Sequence, residues 1–299
     1  MKTDKKSVSI KSWITAIRPR TLPAALSPVV VGSAMAFSDN NFRALPAAAA
    51  FIGAILLQIA VNLANDYFDF TKGVDSDNRV GPIRVTQKGI ISLSMMRFAI
   101  AFILCLSSLI GIYLIHVGGW PVFAIGAASI LAALAYSGGP FPLGSHGMGD
   151  LLVFIFFGLV AVCGTYYVQA LRLTFVIVIV SIPIGLLITA ILVVNNMRDI
   201  ETDRKAMKYT LAVILGKKGA MIEYFLLLAG AYIIPIILYA IRLFSPAILL
   251  PLLSLPFGIY LTGYVFSEEG KVLNAVLART AQLTLIYSLL FSAGIILFK

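Results

Sequence analysis

Asn62-Leu63-Ala64-Asn65-Asp66-Tyr67-Phe68-Asp69 closes one long apolar run of this chain, and Asn195-Asn196-Met197-Arg198-Asp199-Ile200-Glu201-Thr202-Asp203 closes another. If each helix continues through its motif, Asn62, Asn65, Asp66 and Asp69 share one face at spacings of three and four. Asn195, Asn196, Asp199 and Asp203 do the same on the second. Each motif is followed by Arg and Lys, which gives the pair the character of a weak internal repeat. Two similar halves around one central site are therefore expected.

The surroundings of the motifs are apolar. Of 299 residues, 60% are hydrophobic and only 12% are charged, and the mean hydropathy is +0.97. Such a composition needs lipid as its solvent. A bilayer-spanning helix takes ~20 mainly apolar residues. Nine such runs occur, near 13–37, 44–66, 94–116, 120–136, 150–170, 174–196, 220–242, 246–266 and 278–298. The expected fold is an all-α membrane protein with about nine transmembrane helices around a central cavity, one domain over 1–299 in which 1–12 form a cytoplasmic tail. Arg18, Pro19 and Arg20 interrupt the first run and eight more follow, so it is read as a retained helix and not a cleaved signal. Ile10, Trp13, Ile14 and Ile17 recur at helical spacing beside Lys11 and Arg18, which describes either a surface-lying amphipathic segment or an extension of the first span. Cys105 and Cys163 fall inside apolar runs, where burial as small hydrophobes is expected. His116 and His146 make no pair at zinc-ligand spacing.

A net charge of +10 would suggest nucleic acid for a soluble protein, but here the cations sort by membrane side. With the N-terminus inside, 19 of the 23 Lys and Arg fall on the cytoplasmic side, leaving Arg43, Arg172, Arg242 and Lys299 on the other. Nine spans, N-in and C-out, fit this parity, place both Asp-rich loops in the cytoplasm, and make lipid rather than nucleic acid the large-scale partner. Asp66, Asp69, Asp75, Asp77, Asp199, Glu201 and Asp203 are 7 of the 13 acids and lie in or beside loops 67–93 and 197–219. Orientation does not explain them, since carboxylates contribute little to it.

Four carboxylates converging beside a membrane repel unless cations sit between them. Mg²⁺ meets that need with a few carboxylates, completing its octahedron with water and phosphate oxygens. Asp66, Asp69, Asp199 and Asp203 are thus candidate ligands beneath a diphosphate. Asn65, Arg79, Arg84, Lys88, Asn196, Arg198 and Lys208 are candidates for the remaining phosphate contacts. The competing reading makes each Asp a helix cap or the surface partner of a loop Arg.

At these residues the sequence resembles the UbiA superfamily of intramembrane prenyltransferases, which carry NDxxDxxxD and DxxxD motifs on two such loops. Segments 65–89 (NDYFDFTKGVDSDNRVGPIRVTQKG), 136–150 (YSGGPFPLGSHGMGD), 195–216 (NNMRDIETDRKAMKYTLAVILG) and 18–26 (RPRTLPAAL) are most similar to its menaquinone branch, which prenylates 1,4-dihydroxy-2-naphthoate. The broad motif puts a third acid where Gly73 stands, with Asp75 as the substitute ligand, and Met207 occupies a stretch where family members usually have Gly.

The resemblance implies Mg²⁺-dependent ionisation of a polyprenyl diphosphate, attack by an electron-rich ring carbon, and a multi-pass enzyme of the cell inner (cytoplasmic) membrane whose site faces the cytoplasm. It also makes Tyr136 and Asp150 candidates for the pocket holding the acceptor or the allylic cation. Asp150 reads equally as a helix N-cap. Prenyl transfer to 4-hydroxybenzoate, homogentisate, haem or a glycerol phosphate is the alternative within the superfamily. An ion-coupled secondary transporter is the alternative outside it.

Overall fold

A chain solvated by lipid must satisfy its backbone N–H and C=O groups internally. The computed structural model describes residues 9–71, 81 and 84–297, and among them meets that demand with helices. In chain order these are α1 (Ile10–Ile17), α2 (Pro23–Ser38), α3 (Ala44–Thr71), α4 (Leu93–Gly118), α5 (Trp120–Ser137), α6 (Gly149–Ala170), α7 (Phe175–Arg198), α8 (Ile200–Lys205), α9 (Leu211–Ala240), α10 (Pro246–Ser267) and α11 (Gly270–Ile296). Among the described residues, eight are long and apolar enough to cross a bilayer, and α1 with α2 makes a ninth if the bent pair is one span. Asp75, Arg79 and the first eight residues of the expected tail lie outside the described residues, and Ser9 already caps α1 through the amide of Ser12.

The first run is broken where Arg18 and Pro19 stand. Arg18 adopts φ 55°, and the two helical pieces meet at 50°. Ile10 and Ile14 face outward at 81% and 51% exposure, while Trp13 packs towards α3 and Ala16 is buried there. The interruption strands backbone polar groups in an apolar setting, and α3 supplies the repair. Asn62 Nδ2 donates to the Ile17 carbonyl at 2.8 Å and to Thr21 Oγ1 at 3.2 Å, and Gln58 Nε2 reaches Thr21 Oγ1 at 3.5 Å. Asn62 therefore repairs the break in the first span.

Helix α7 is the axis of the core. Ile177, Val180, Ile184, Leu187, Ala190 and Val194 are fully buried between α2, α6, α9 and α11. Residues Phe154–Val160 of α6 form a π-helical stretch, and within it Gly158 sits so near α7 that an added Cβ would stand 2.5 Å from Gly185 Cα. Helix α4, in contrast, turns Phe98, Phe102 and Cys105 outward. Burial was expected for Cys105, but lipid is as apolar as a core and makes no demand that it be packed. The last helices begin earlier than the apolar runs suggest, α11 at Gly270 and α9 at Leu211, where a short first piece runs to a kink at Gly216 (φ 71°) before the spanning part resumes. Thr210 caps α9, and the helix carries Lys217 and Lys218 outside the apolar stretch, which hydropathy alone cannot see.

Two backbones in contact cannot yield to a new side chain as a flexible residue can. Gly158→Val should destabilise the bundle by about 1–3 kcal/mol or more, whereas Gly111→Ala, with nothing within 4 Å of its added Cβ, should not. Thermal unfolding of both variants in detergent checks this, with a loss of melting temperature expected for the first alone.

Candidate active site

Helix α3 runs unbroken to Thr71, so Asp66 and Asp69 do lie one turn apart on one face. They are 2% and 8% exposed, which places them in the interior and not on a solvated surface. The chain after the described gap returns as a tight turn. Lys88 N donates to Arg84 O at 3.2 Å, Gly89 N to Thr86 O at 3.0 Å and Ile90 N to Val85 O at 3.0 Å. Val85 and Ile91, both buried against α3 and α4, pin that turn and direct Arg84 inward. Its Nη2 meets Asp69 Oδ2 at 2.5 Å, with the guanidinium side chain 4% exposed. Asn65 Oδ1 accepts from Ser137 Oγ at 2.6 Å. Lys88 is exposed.

The second motif departs from a continuing helix. Asp199 takes φ −100° and ψ 7° and ends α7, so its four polar residues do not share one unbroken face. The i to i+4 link survives the kink, because Asp203 N still donates to Asp199 O at 2.8 Å. Arg198 is wholly engaged. Its Nε and Nη2 hold the two Asp199 oxygens at 2.9 and 2.5 Å, Nη2 also reaches Asn195 Oδ1 at 2.9 Å, and Nη1 reaches Asn274 Oδ1 on α11 at 2.8 Å. Asn196 is buried beside them.

Lys208 Nζ lies 3.8 Å from Asp203 Oδ1, and Met207 before it adopts φ 55°. The left-handed conformation is the one glycine takes freely, which gives the Met207 departure its physical meaning. Arg84 and Lys208 thus occupy matching places, each paired with the second acid of its motif.

One loop clasps both motifs. Ser137 bonds Asn65, and a Cβ on Gly138 would stand 3.0 Å from the Phe68 ring. Eight residues after Ser137, Ser145 O accepts from Tyr209 N at 2.9 Å in a bridge between His146 and Tyr209. The loop can fold this tightly because Gly144 would place a Cβ 2.9 Å from the Tyr136 ring. The Tyr136 hydroxyl sits within Coulombic reach of Asp150, Asp69 and Asp203. Asp150, 6% exposed, does not cap α6, whose N-cap position is Met148.

The candidates brought together are therefore Asn65, Asp66, Asp69, Arg84, Tyr136, Asp150, Asn196, Arg198, Asp199, Asp203 and Lys208. Among the described residues no three His, Cys, Asp or Glu stand close enough to bind a metal by themselves; the carboxylates come as two pairs. Ser137 and Asn274 were not anticipated. Each is a polar side chain at the end of an apolar run, a signal too common to single out without its partner.

Buried acid pairs, each compensated by a cation and joined by one loop at the end of a polytopic helical bundle, define a class of intramembrane proteins that handle charged substrates. The chain belongs to the UbiA prenyltransferase family, whose model matches residues 25–296, and it is a membrane-embedded prenyltransferase. It is 37% identical over 302 residues to the 1,4-dihydroxy-2-naphthoate octaprenyltransferase of Escherichia coli strain K12, covering 99% of this chain and 98% of that one. It is 38% identical over 282 residues to the 1,4-dihydroxy-2-naphthoate octaprenyltransferase of Mycobacterium tuberculosis, covering 94% and 95%. A solved UbiA homologue from Archaeoglobus fulgidus, bound to GPP and Mg²⁺, superimposes with a TM-score of 0.66 at 15% identity, covering 94% of this chain and 99% of that one.

The two acid–cation pairs differ in burial, and that difference sets their weights. Breaking the Arg84–Asp69 pair, 4% and 11% exposed, should cost about 3–5 kcal/mol because it takes a close cation away from a buried carboxylate. Lys208, 20% exposed at 3.8 Å, should contribute ~1 kcal/mol or less. Arg84→Ala should accordingly lower the unfolding temperature in detergent far more than Lys208→Ala, and equal losses would refute this ranking.

Proposed function

We propose that this protein transfers a polyprenyl group from its diphosphate to 1,4-dihydroxy-2-naphthoate, the acceptor named for its relatives at 37% and 38% identity. The observation that carries the reading is the pair of buried, loop-joined carboxylate motifs. The donor set is all oxygen and doubly paired, which suits a hard cation that keeps open positions for phosphate. Asp66, Asp69, Asp199 and Asp203 are the residues that would hold Mg²⁺, with Asp75 as an additional ligand. When bound, the metal neutralises charge developing on the departing diphosphate.

The protein's own groups do the rest. Arg84 and Lys208 stand on opposite motifs, each able to exchange its carboxylate for a phosphate oxygen, a charge-assisted contact of similar strength. Asn65, Asn196, Arg79 and Lys88 complete the head-group set. Arg198, fully held by Asp199, Asn195 and Asn274, serves better as the strut that aims Asp199 than as a mobile clamp. The apolar helices exclude the water that would quench an allylic cation. The chain acts as one domain over 1–299. It lies in the cell inner (cytoplasmic) membrane, N-in and C-out, with both motifs at the cytoplasmic face.

Membranes containing the protein, given Mg²⁺ and a labelled polyprenyl diphosphate, should prenylate dihydroxynaphthoate in preference to 4-hydroxybenzoate or homogentisate. Asp66→Asn and Asp199→Asn should each abolish that turnover while the protein stays folded in detergent. Near-normal activity in both would remove the metal assignment, and preference for another acceptor would remove the substrate assignment.

Orientation has its own measurement. Single cysteines replacing Lys217 and Arg242 should react with an impermeant thiol reagent from opposite faces, the first from the cytoplasm only. Labelling of position 217 from outside would invert the topology.

A further inference from the structure

Glu223 belongs to neither Asp-rich motif. It lies on α9 inside a membrane-spanning segment, half-buried, and its Oε2 is shielded from solvent with no hydrogen-bond partner. Three acids outside the motifs have a cation beside them: Asp39 lies beside Arg172, Glu201 beside Arg204, and Glu269 beside Lys217. An acid within a span costs several kcal/mol unless something repays it, and is retained for a function by default.

Asp150 poses the same problem on α6. It is 6% exposed, does not cap its helix, and presents an Oδ2 that likewise has no hydrogen-bond partner. A Cβ on Gly149 would lie 3.6 Å from Leu192 of α7 and one on Gly230 3.0 Å from Leu186, so Glu223, two turns before Gly230 on the antiparallel α9, stands at the same level along α7 as Asp150; Tyr136 precedes Ser137, which bonds Asn65 of the first motif. A Cβ on Gly149 would also stand 3.2 Å from the Tyr136 hydroxyl, so the start of α6 is pressed against it. The order is motif acids, then Tyr136, then Asp150, then Glu223. A molecule placed against the last two would have one flank near the diphosphate end of the site.

We infer that Glu223 and Asp150 form the seat of the aromatic acceptor, their unpartnered oxygens receiving hydrogen bonds from its ring hydroxyls. The inference rests on the transferase reading above and deepens it. Buried carboxylate oxygens without donors call for a ligand that brings N–H or O–H groups, and a dihydroxyarene brings two. The seat also fixes orientation, because an acceptor's own carboxylate would be repelled by this pair and must point away from it.

The chemistry then balances within the site. The allylic C–O bond breaks and its electron pair leaves with the diphosphate. A ring carbon beside a hydroxyl supplies the pair for the new C–C bond. The positive charge left on the ring is discharged as that hydroxyl passes its proton to Glu223 or Asp150, and the attacked carbon then releases its former substituent, as H⁺ or CO2, leaving the bonding pair to restore the aromatic ring while the oxygen takes its proton back. No oxidant or reductant is required.

The test pairs a deletion in the protein with one in the acceptor. Unaltered enzyme and the Glu223→Gln and Asp150→Asn variants are assayed with dihydroxynaphthoate and with its two mono-methoxy derivatives, each lacking one hydroxyl donor. For the unaltered enzyme, loss of the seated hydroxyl should lower kcat/KM for the acceptor by at least about tenfold, the weight of one hydrogen bond to a charged group. In the variant lacking the matching carboxylate the same change should cost far less, while the KM for the donor stays unchanged.

A purely structural role for Glu223 would slow all acceptors alike, and such additivity overturns the inference. If Asp150→Asn does not purify folded, Glu223→Gln and Glu223→Asp alone carry the comparison. Transfer to dihydroxynaphthoate with additive effects sinks this inference only, whereas no transfer by the unaltered enzyme sinks the acceptor assignment with it.

Discussion

Burying a carboxylate at the edge of an apolar bundle costs several kcal/mol before any partner is counted, and this chain buries Asp66, Asp69, Asp150, Asp199 and Asp203, all at 8% exposure or less. Much of the local architecture answers that cost. Arg84 is turned inward to meet Asp69, Arg198 folds back on Asp199, and Lys208 lies beside Asp203. The turn anchored by Val85 and Ile91, the kink at Asp199 and the left-handed Met207 are local means of delivering those cations.

Compensation of this kind is exchangeable. A guanidinium or ammonium near a carboxylate can hand it to a divalent ion and take up a phosphate oxygen, since both are charge-assisted contacts of similar strength. A prenyltransferase needs that exchange, because its leaving group gains charge as the reaction proceeds and must be met by groups already in place. The rigid part of the site is elsewhere. Arg198 has three side-chain partners from two helices, and the 138–148 loop ties α3 to the strand-like stretch at Tyr209. Fixed struts beside exchangeable ion pairs let the site tighten on a head group without rebuilding the bundle.

Polar residues inside the spans divide by whether they find partners within the protein. Asn62 and Gln58 mend the broken first span, Tyr287 donates to the Ala231 carbonyl, and Tyr232 meets Ser254. Their purpose is internal. Asp150 and Glu223 have no such explanation within the protein, which is why they are assigned to a ligand.

What the sequence determined alone was set by solvent and by period. Its apolar runs of bilayer length required membrane helices, and the two Asn-and-Asp endings at positions 62–69 and 195–203 marked the candidate site, because carboxylates do not gather at apolar helix ends without cause. Tertiary structure decided the rest. Asn62 shares a helix face with Asp66 yet serves Ile17, forty-five residues away. Arg198, a candidate phosphate contact, is bonded by Asn274, seventy-six residues on. Glu223 stood alone in the sequence and acquires meaning only where α9 brings it towards Asp150. A side chain's role in lipid depends on which polar group it finds, and such partners are brought together by helix packing that local spacing does not encode.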